Sequence, residues 1–223
     1  AALTEEPSEP ITLRIVRSDG EFTWVEAHGH LVKDDAGKVT GSIAVWHDAS
    51  DSVRREKELR RLAESDPLTG LPNRRELHAR LEEMMTKRRH GERTAVLFCD
   101  IDGLKRINDH YGHEAGDRLL RAVAERIEKT IRTDDLVARL GGDELVVALS
   151  RVPDAGNARQ AAEKIRAAVS ASALVVDGTT VTPTVSVGVV LTRPGDDVQS
   201  ALDRADDAMY QAKAAGGNRI FAG

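Results

Sequence analysis

Alternation of apolar and polar residues near the start of the chain predicts extended strands. A polar lead-in over residues 1–10, with Pro7 and Pro10, reads as frayed. Ile11, Leu13 and Ile15 then recur at every second position, the period of a half-buried strand. Ser18-Asp19-Gly20 signals a turn, and Glu21 to Lys33 is a second extended run around Trp24, Val25 and Leu31. Another turn at Asp34 to Lys38 precedes a third strand, Val39 to His47, around Ile43, Val45 and Trp46. The expectation is an antiparallel meander that buries too little surface to stand comfortably alone. Asp48 to Glu64 is charge-dense and helical in composition, with Val53, Leu59 and Leu62, and Asp66-Pro67 ends it. It reads as a solvated connector helix or a short parallel coiled coil, because helices of this length are marginal alone.

From Asp66 onward the pattern alternates between helix and strand. Asn73 can cap a helix carrying Leu77, Leu81 and Met84, and Lys87-Arg88-Arg89-His90 suits the negative end of its dipole. Ala95 to Cys99 is a continuous apolar run of buried-strand type. Leu120, Val123, Ile127 and Ile131 form one helical stripe. Leu136 to Leu140 and Leu145 to Leu149 are short strands joined around Gly141-Gly142. Ala161, Ile165 and Val169 predict a helix, Val181 to Leu191 a strand, Leu202, Ala205, Met209 and Ala212 a last long helix, and Arg219 to Phe221 an end strand.

Composition narrows the class. Hydrophobic residues are 40% and charged residues 31%, a globular balance with material for a core; aromatics are only 3%, so that core is aliphatic. The formal charge of −5 argues against a nucleic-acid partner, which needs a clustered basic face. Cys99 is alone, which excludes an internal disulfide framework and a cysteine-rich zinc site. No apolar run approaches the ~18 residues that span a bilayer, so no membrane contact is expected of this stretch and the location expected is cytoplasmic. The chain opens at Ala1 without a methionine, which reads as a piece of a longer polypeptide.

Candidate chemistry begins at the hairpin. Two glycines supply the positive φ values of a type I′ turn, so Gly141-Gly142 is expected to be its tip. The adjoining acids, Asp143 and Glu144, would by themselves more often be solvated than functional. A second acidic cluster changes that reading. The strand Ala95–Cys99 ends in Asp100-Ile101-Asp102 and passes through Gly103 into Leu104-Lys105 and a helix start. Carboxylates there hold a hard cation such as Mg²⁺, while helix-entry amides take phosphate oxygens. There is no Gly-x-x-x-x-Gly-Lys-Ser/Thr run, so this is not a P-loop.

DPLTGLPNR (66–74), DIDGLKRIND (100–109), GHEAGD (112–117), RTDD (132–135), GGDEL (141–145) and YQAKAAGGNR (210–219) together resemble the GGDEF domain, the diguanylate cyclase module. The resemblance implies an α/β (α+β) nucleotidyl-cyclase fold, a central mostly antiparallel sheet flanked by helices. It implies that two GTP become cyclic di-GMP and two pyrophosphates, with Mg²⁺ or Mn²⁺. By that resemblance Asp100, Asp143 and the carbonyl of Ile101 would ligate the metal, with Glu144 a further active-site acid. Amides of Gly103, Leu104 and Lys105, with Gly142 and Lys213, would bind GTP phosphates. Asn108 and Asp117 would read guanine, and Arg139 would face charge developing on the reacting phosphate. Asp143, Glu144 or a water on the cation are all open as proton acceptor.

One acidic pair per chain and a product that joins two nucleotides symmetrically imply a homodimer, with the connector helix as a handle. Asp135 to Gly141, at ~3.3 Å per strand residue, spans about 20 Å, so Arg132 and Asp135 are expected outside the catalytic pocket. In the family this spacing marks a product-inhibition site for cyclic di-GMP. Leu145 and Leu104 replace aromatics usual in the family, and Gly217 stands where many members have a phosphate-contacting arginine, which leaves Lys213 as the main side-chain cation. Residues 1–48 resemble the last strands of a PAS domain without its pocket-building front half, so no haem or flavin is expected and His28, His30 and His47 read as strand residues. The organisation expected is thus a partial PAS-like meander (1–48), a connector helix (49–65) and a GGDEF domain (66–223). The rival reading is a catalytically silent cyclic di-GMP receptor.

Overall fold

The apolar runs of the second half of the chain become the centre of a sheet in the computed structural model, which describes residues 2–3, 9–87, 92–176 and 178–223. The chain divides into two compact units, Ala1–Ala63 and Glu64–Gly223.

In the first unit, β2 (Ile11–Val16), β3 (Phe22–Lys33) and β4 (Val39–Asp48) pair antiparallel in sequence order. A short β1 (Ala2–Leu3) pairs with Val32 and Lys33, so part of the lead-in read as frayed is strand; residues 1 and 4–8 lie outside the described residues. Among the described residues of this unit only Val25 and Ala49 are buried hydrophobics, and β4 is exposed throughout. His28 hydrogen-bonds Glu26 through Nε2 at 2.7 Å. Helix α1 (Ser50–Glu64) buries no residue, and Leu59 is 67% exposed.

The second unit is built on a sheet in the order β11-β10-β5-β7-β6: β5 Arg93–Ile101, β6 Leu136–Gly141, β7 Glu144–Val152, β10 Val185–Leu191 and β11 Ile220–Ala222. All neighbours are antiparallel except β10 and β11. The strand β5 reads as unbroken apolar because both its faces are covered. Ala95, Leu97, Cys99 and Ile101 enter one core with Leu120, Val123 and Ile127 of α4 (His113–Thr130) and Ile165 and Val169 of α5 (Ala155–Ser170). Val96 and Phe98 enter the other with Leu77 and Leu81 of α2 (Arg74–Thr86) and Leu202, Ala205 and Met209 of α6 (Val198–Ala214). Asn73 caps α2, accepting from Glu76 N at 3.1 Å. Of the basic run after it, residues 88–90 lie outside the described residues. A short α3 (Leu104–Tyr111) follows Gly103.

Close packing of α6 depends on Gly188 in β10, where a Cβ would stand 2.0 Å from the Ala205 carbonyl oxygen and 2.2 Å from Met209 N. The strand expected over Val181–Leu191 is two: β9 (Thr179–Val181) pairs with β8 (Leu174–Val176), and β10 begins only at Val185. Pro183 lies between them, and it lacks the N–H a ladder requires. Among the described residues no helix is long and apolar enough to cross a membrane.

Candidate active site

Side chains alternate across a strand, so Asp100 shares the face of β5 that carries Val96 and Phe98, the face covered by α6, and Asp102 follows one residue past the strand's end. Asp100 is only 5% exposed. One carboxylate oxygen accepts from Lys213 Nζ of α6 at 2.6 Å, and the other is buried with no hydrogen-bond partner. Burial pushes its pKa up to about 6; Asp143 and Asp102 add to the rise while Lys213 opposes it. A buried carboxylate oxygen without a donor is costly, a cost that a cation bound there would relieve.

Asp102 has a different task. It accepts from Thr184 Oγ1 at 2.8 Å, Ser186 Oγ at 2.7 Å and the Asn218 amide at 2.9 Å, and so ties the loop after α6 to the end of β5. Gly103 has φ +74° and starts α3 without a side-chain cap, which leaves the first-turn amides of Leu104 and Lys105 to other acceptors.

The hairpin tip differs from expectation. Gly141 pairs with Glu144, so the two turn residues are Gly142 and Asp143, after an irregularity in β6 between Arg139 and Gly141. Gly142 has φ +53°, whereas Asp143 is not among the positive-φ residues. Positive φ at the first position alone is the signature of type II′, not type I′. The shift places Asp143 at the tip, and its carbonyl accepts from Ile101 N at 3.3 Å. Glu144 stands directly across from Asp100. Burial raises the Glu144 pKa, with Asp206 of α6 and Asp143 adding to it and Arg74 and Lys213 opposing.

Arg139 is engaged within the chain. Its Nη1 donates to both Asp66 carboxylate oxygens, at 3.0 and 2.9 Å, and Nε and Nη2 donate to the Gly142 carbonyl at 3.2 and 2.8 Å. The guanidinium thereby clamps the hairpin turn to the loop before α2.

Asn108 of α3 lies against Gly116 of α4: a Cβ on Gly116 would stand 1.8 Å from Asn108 Oδ1. The glycine thus brings the Asn108 amide next to the turn of helix carrying Asp117. Arg132 and Asp135 fall in the loop between α4 and β6. They line a cavity of about 250 Å³ with Arg151, Asn157, Gln160 and Lys164, and none of the residues around Asp100 reaches it. Asp135 accepts from Arg132 N at 3.1 Å and from Ser150 N at 2.9 Å. From sequence Asp102 reads with Asp100 as a cation-holding acid, whereas its carboxylate is taken up by Thr184, Ser186 and Asn218. Asp66, Arg106 and Asp206 carry no role in the sequence reading; the first two lie within the DPLTG and DIDGLKRIND motifs, and nothing local marks Asp206.

Residues 63–219 match the family model described as Diguanylate cyclase, GGDEF domain. The chain belongs to the GGDEF family. It is 34% identical over 214 residues to diguanylate cyclase DgcP of Pseudomonas aeruginosa, covering 92% of this chain and 32% of that protein. It is 37% identical over 208 residues to diguanylate cyclase DgcM of Escherichia coli, covering 92% and 49%. The chain therefore spans about a third to a half of these relatives. The crystal structure of the coiled coil and GGDEF domain of DgcB from Caulobacter crescentus, in complex with c-di-GMP, superposes with a TM-score of 0.71 at 31% identity, covering 78% of this chain and 93% of that one. In this GGDEF protein the signature hairpin is the β6–β7 turn, and the acid at its tip is Asp143.

Proposed function

We propose that the chain is a diguanylate cyclase that condenses two GTP into cyclic di-GMP and two pyrophosphates. The observation that carries the reading is the buried, unpartnered oxygen of Asp100, set between the Asp143 hairpin and Lys213. Among the described residues no three His, Cys, Asp or Glu side chains stand arranged to hold a metal. That suits Mg²⁺, which takes one or two carboxylates and completes its shell with substrate phosphates and water. Asp100, Asp143 and the Ile101 carbonyl would hold it (Mn²⁺ fits the same oxygen donors), and when bound it supplies positive charge against the triphosphate.

The chain's own groups do the rest. Amides at the start of α3, over Gly103, Leu104 and Lys105, and the Lys213 ammonium bind the terminal phosphates. Asn108 and Asp117 select guanine through its hydrogen-bonding edge. Phosphoryl-type transfer asks for positioning and charge neutralisation, so the pocket orients a ribose 3′-hydroxyl in line with an α-phosphate and needs no covalent nucleophile. Glu144 adds a second acid beside Asp143. Arg139 is a positioning residue that sets the hairpin through the Gly142 carbonyl.

Each chain carries one such site, so two chains face each other, and α1, with Leu59 and Leu62 exposed, is the dimer handle. Arg132 and Asp135 bind cyclic di-GMP as a feedback inhibitor. The first unit is the end of a PAS sensor. Incubation with GTP and Mg²⁺ followed by nucleotide chromatography tests the activity, and Asp143→Ala should abolish the dinucleotide product with an unchanged unfolding temperature. A wild-type chain that binds cyclic di-GMP yet forms none from GTP is the silent receptor.

A further inference from the structure

We propose that Arg106 is the second side-chain cation of the triphosphate cleft and grips the terminal phosphates of GTP beside Lys213; the proposal rests on the reading of that cleft as the GTP site. The cleft is walled by Asp102, Gly103, Arg106, Thr184, Lys213 and Gly217. Only two of these are cations, and Lys213 is already paired with Asp100 at 2.6 Å. A triphosphate there needs more positive charge than a half-neutralised lysine.

Arg106 is placed to supply it. It sits in the first turn of α3, and its guanidinium lies over Gly103. A Cβ at position 103 would be 3.0 Å from Arg106 Nη2 and 3.3 Å from Nε, so the side chain fills the space the glycine leaves open beside the helix-entry backbone. Among the described residues no carboxylate lies within ion-pair distance of Arg106, while Arg139, Arg166 and Arg204 each hold one. A guanidinium with uncommitted N–H groups matches phosphate oxygens two at a time.

The opposite wall cannot carry the charge. Gly217 has φ +73°, and a Cβ there would stand 3.0 Å from Asp102 Oδ1, whose carboxylate is locked by Thr184, Ser186 and Asn218. A side chain at 217 meets both backbone strain and crowding. Arg219, the next cation along, turns back to donate to the Gly217 carbonyl at 3.2 Å and lines a different cleft with Arg159, Glu163 and Arg166. Charge missing from one side of the cleft is supplied from α3.

The test uses the full chain with inorganic tripolyphosphate and GMP as probes. Tripolyphosphate binding is read as a thermal shift in the presence of Mg²⁺, and as competition against GTP turnover. In Arg106→Gln the KM for GTP and the tripolyphosphate inhibition constant should rise together by about tenfold, the usual scale of a charged hydrogen bond. GMP competition should stay unchanged and Arg106→Lys should recover part of the loss. Arg219→Gln should leave tripolyphosphate binding as in the wild type. Unaltered tripolyphosphate binding in Arg106→Gln overturns the assignment, as does a loss that appears in Arg219→Gln instead. Wild-type protein that neither turns over GTP nor shifts with tripolyphosphate overturns the underlying site reading, and this assignment with it.

Discussion

Replacing Asp66 by alanine removes one half of a nearly buried ion pair that joins the loop before α2 to the β6–β7 hairpin. Asp66 and Arg139 are 14% and 13% exposed, and Asp66 Oδ1 also accepts from Thr69 N at 2.8 Å and Thr69 Oγ1 at 2.7 Å. Without the carboxylate, Arg139 keeps its bonds to the Gly142 carbonyl but loses its counter-charge. Stranding one member of a buried pair costs about 3–5 kcal/mol. Some exposure remains, so the lower end, about 3 kcal/mol, is expected. For a unit of about 160 residues, at roughly 2–4 °C per kcal/mol, that is a fall of roughly 6–12 °C.

The pH dependence has a definite sign. Burial pushes the Asp66 carboxyl up, but Thr69 and Arg139 together outweigh it and hold the group below its ordinary 3.8. A depressed carboxylate stabilises the fold above its unfolded pKa, and the contribution disappears as pH falls through the folded value. Thermal unfolding of wild type and Asp66→Ala should therefore differ fully at pH 7 and converge below about pH 4. A cycle with Arg139→Ala should give a coupling of at least about 1 kcal/mol. Dinucleotide formation should fall as well, because the turn carrying Asp143 loses its clamp. A difference within about 0.5 kcal/mol at pH 7, typical of a plain surface change, would refute the reasoning.

Arg132→Ala should relieve product inhibition, seen as a progress curve that stays linear where the wild type bends. Gly116→Ala forces the Asn108 amide to move, since the new methyl would stand 1.8 Å from Oδ1; the KM for GTP should rise on the order of tenfold, about 1.4 kcal/mol of lost binding, with kcat little changed, and no further loss should appear in an Asn108→Ala background. Asp100, raised from 3.8 to about 6, binds its proton more tightly folded than unfolded. Metal-free wild type should accordingly lose about 3 kcal/mol relative to Asp100→Asn as pH climbs from about 4 to above 6, read from paired urea melts.

Patterns carried by near neighbours in the chain were legible without coordinates. The alternation in β2, the apolar run of β5, the Asn73 cap and the spacing of Leu202, Ala205, Met209 and Ala212 each follow from a period of two or 3.6 residues, and each forms the element expected. The acidic motifs likewise marked Asp100 and Asp143, because residue type and position at a strand end or turn are local properties. Pairings across the chain were not legible. That Arg139 meets Asp66, 73 residues away, depends on how a loop and a strand dock. Asp102 is committed to Asn218, 116 residues on, although its motif groups it with Asp100. The turn moved by one residue because an irregularity in β6 altered the register, which hydrogen bonding to β7 decides. Periodicity tells a side chain which face it occupies; only packing tells it which partner waits there, since Coulomb and hydrogen-bond energies depend on distances that close only when the sheet and its two helical layers assemble.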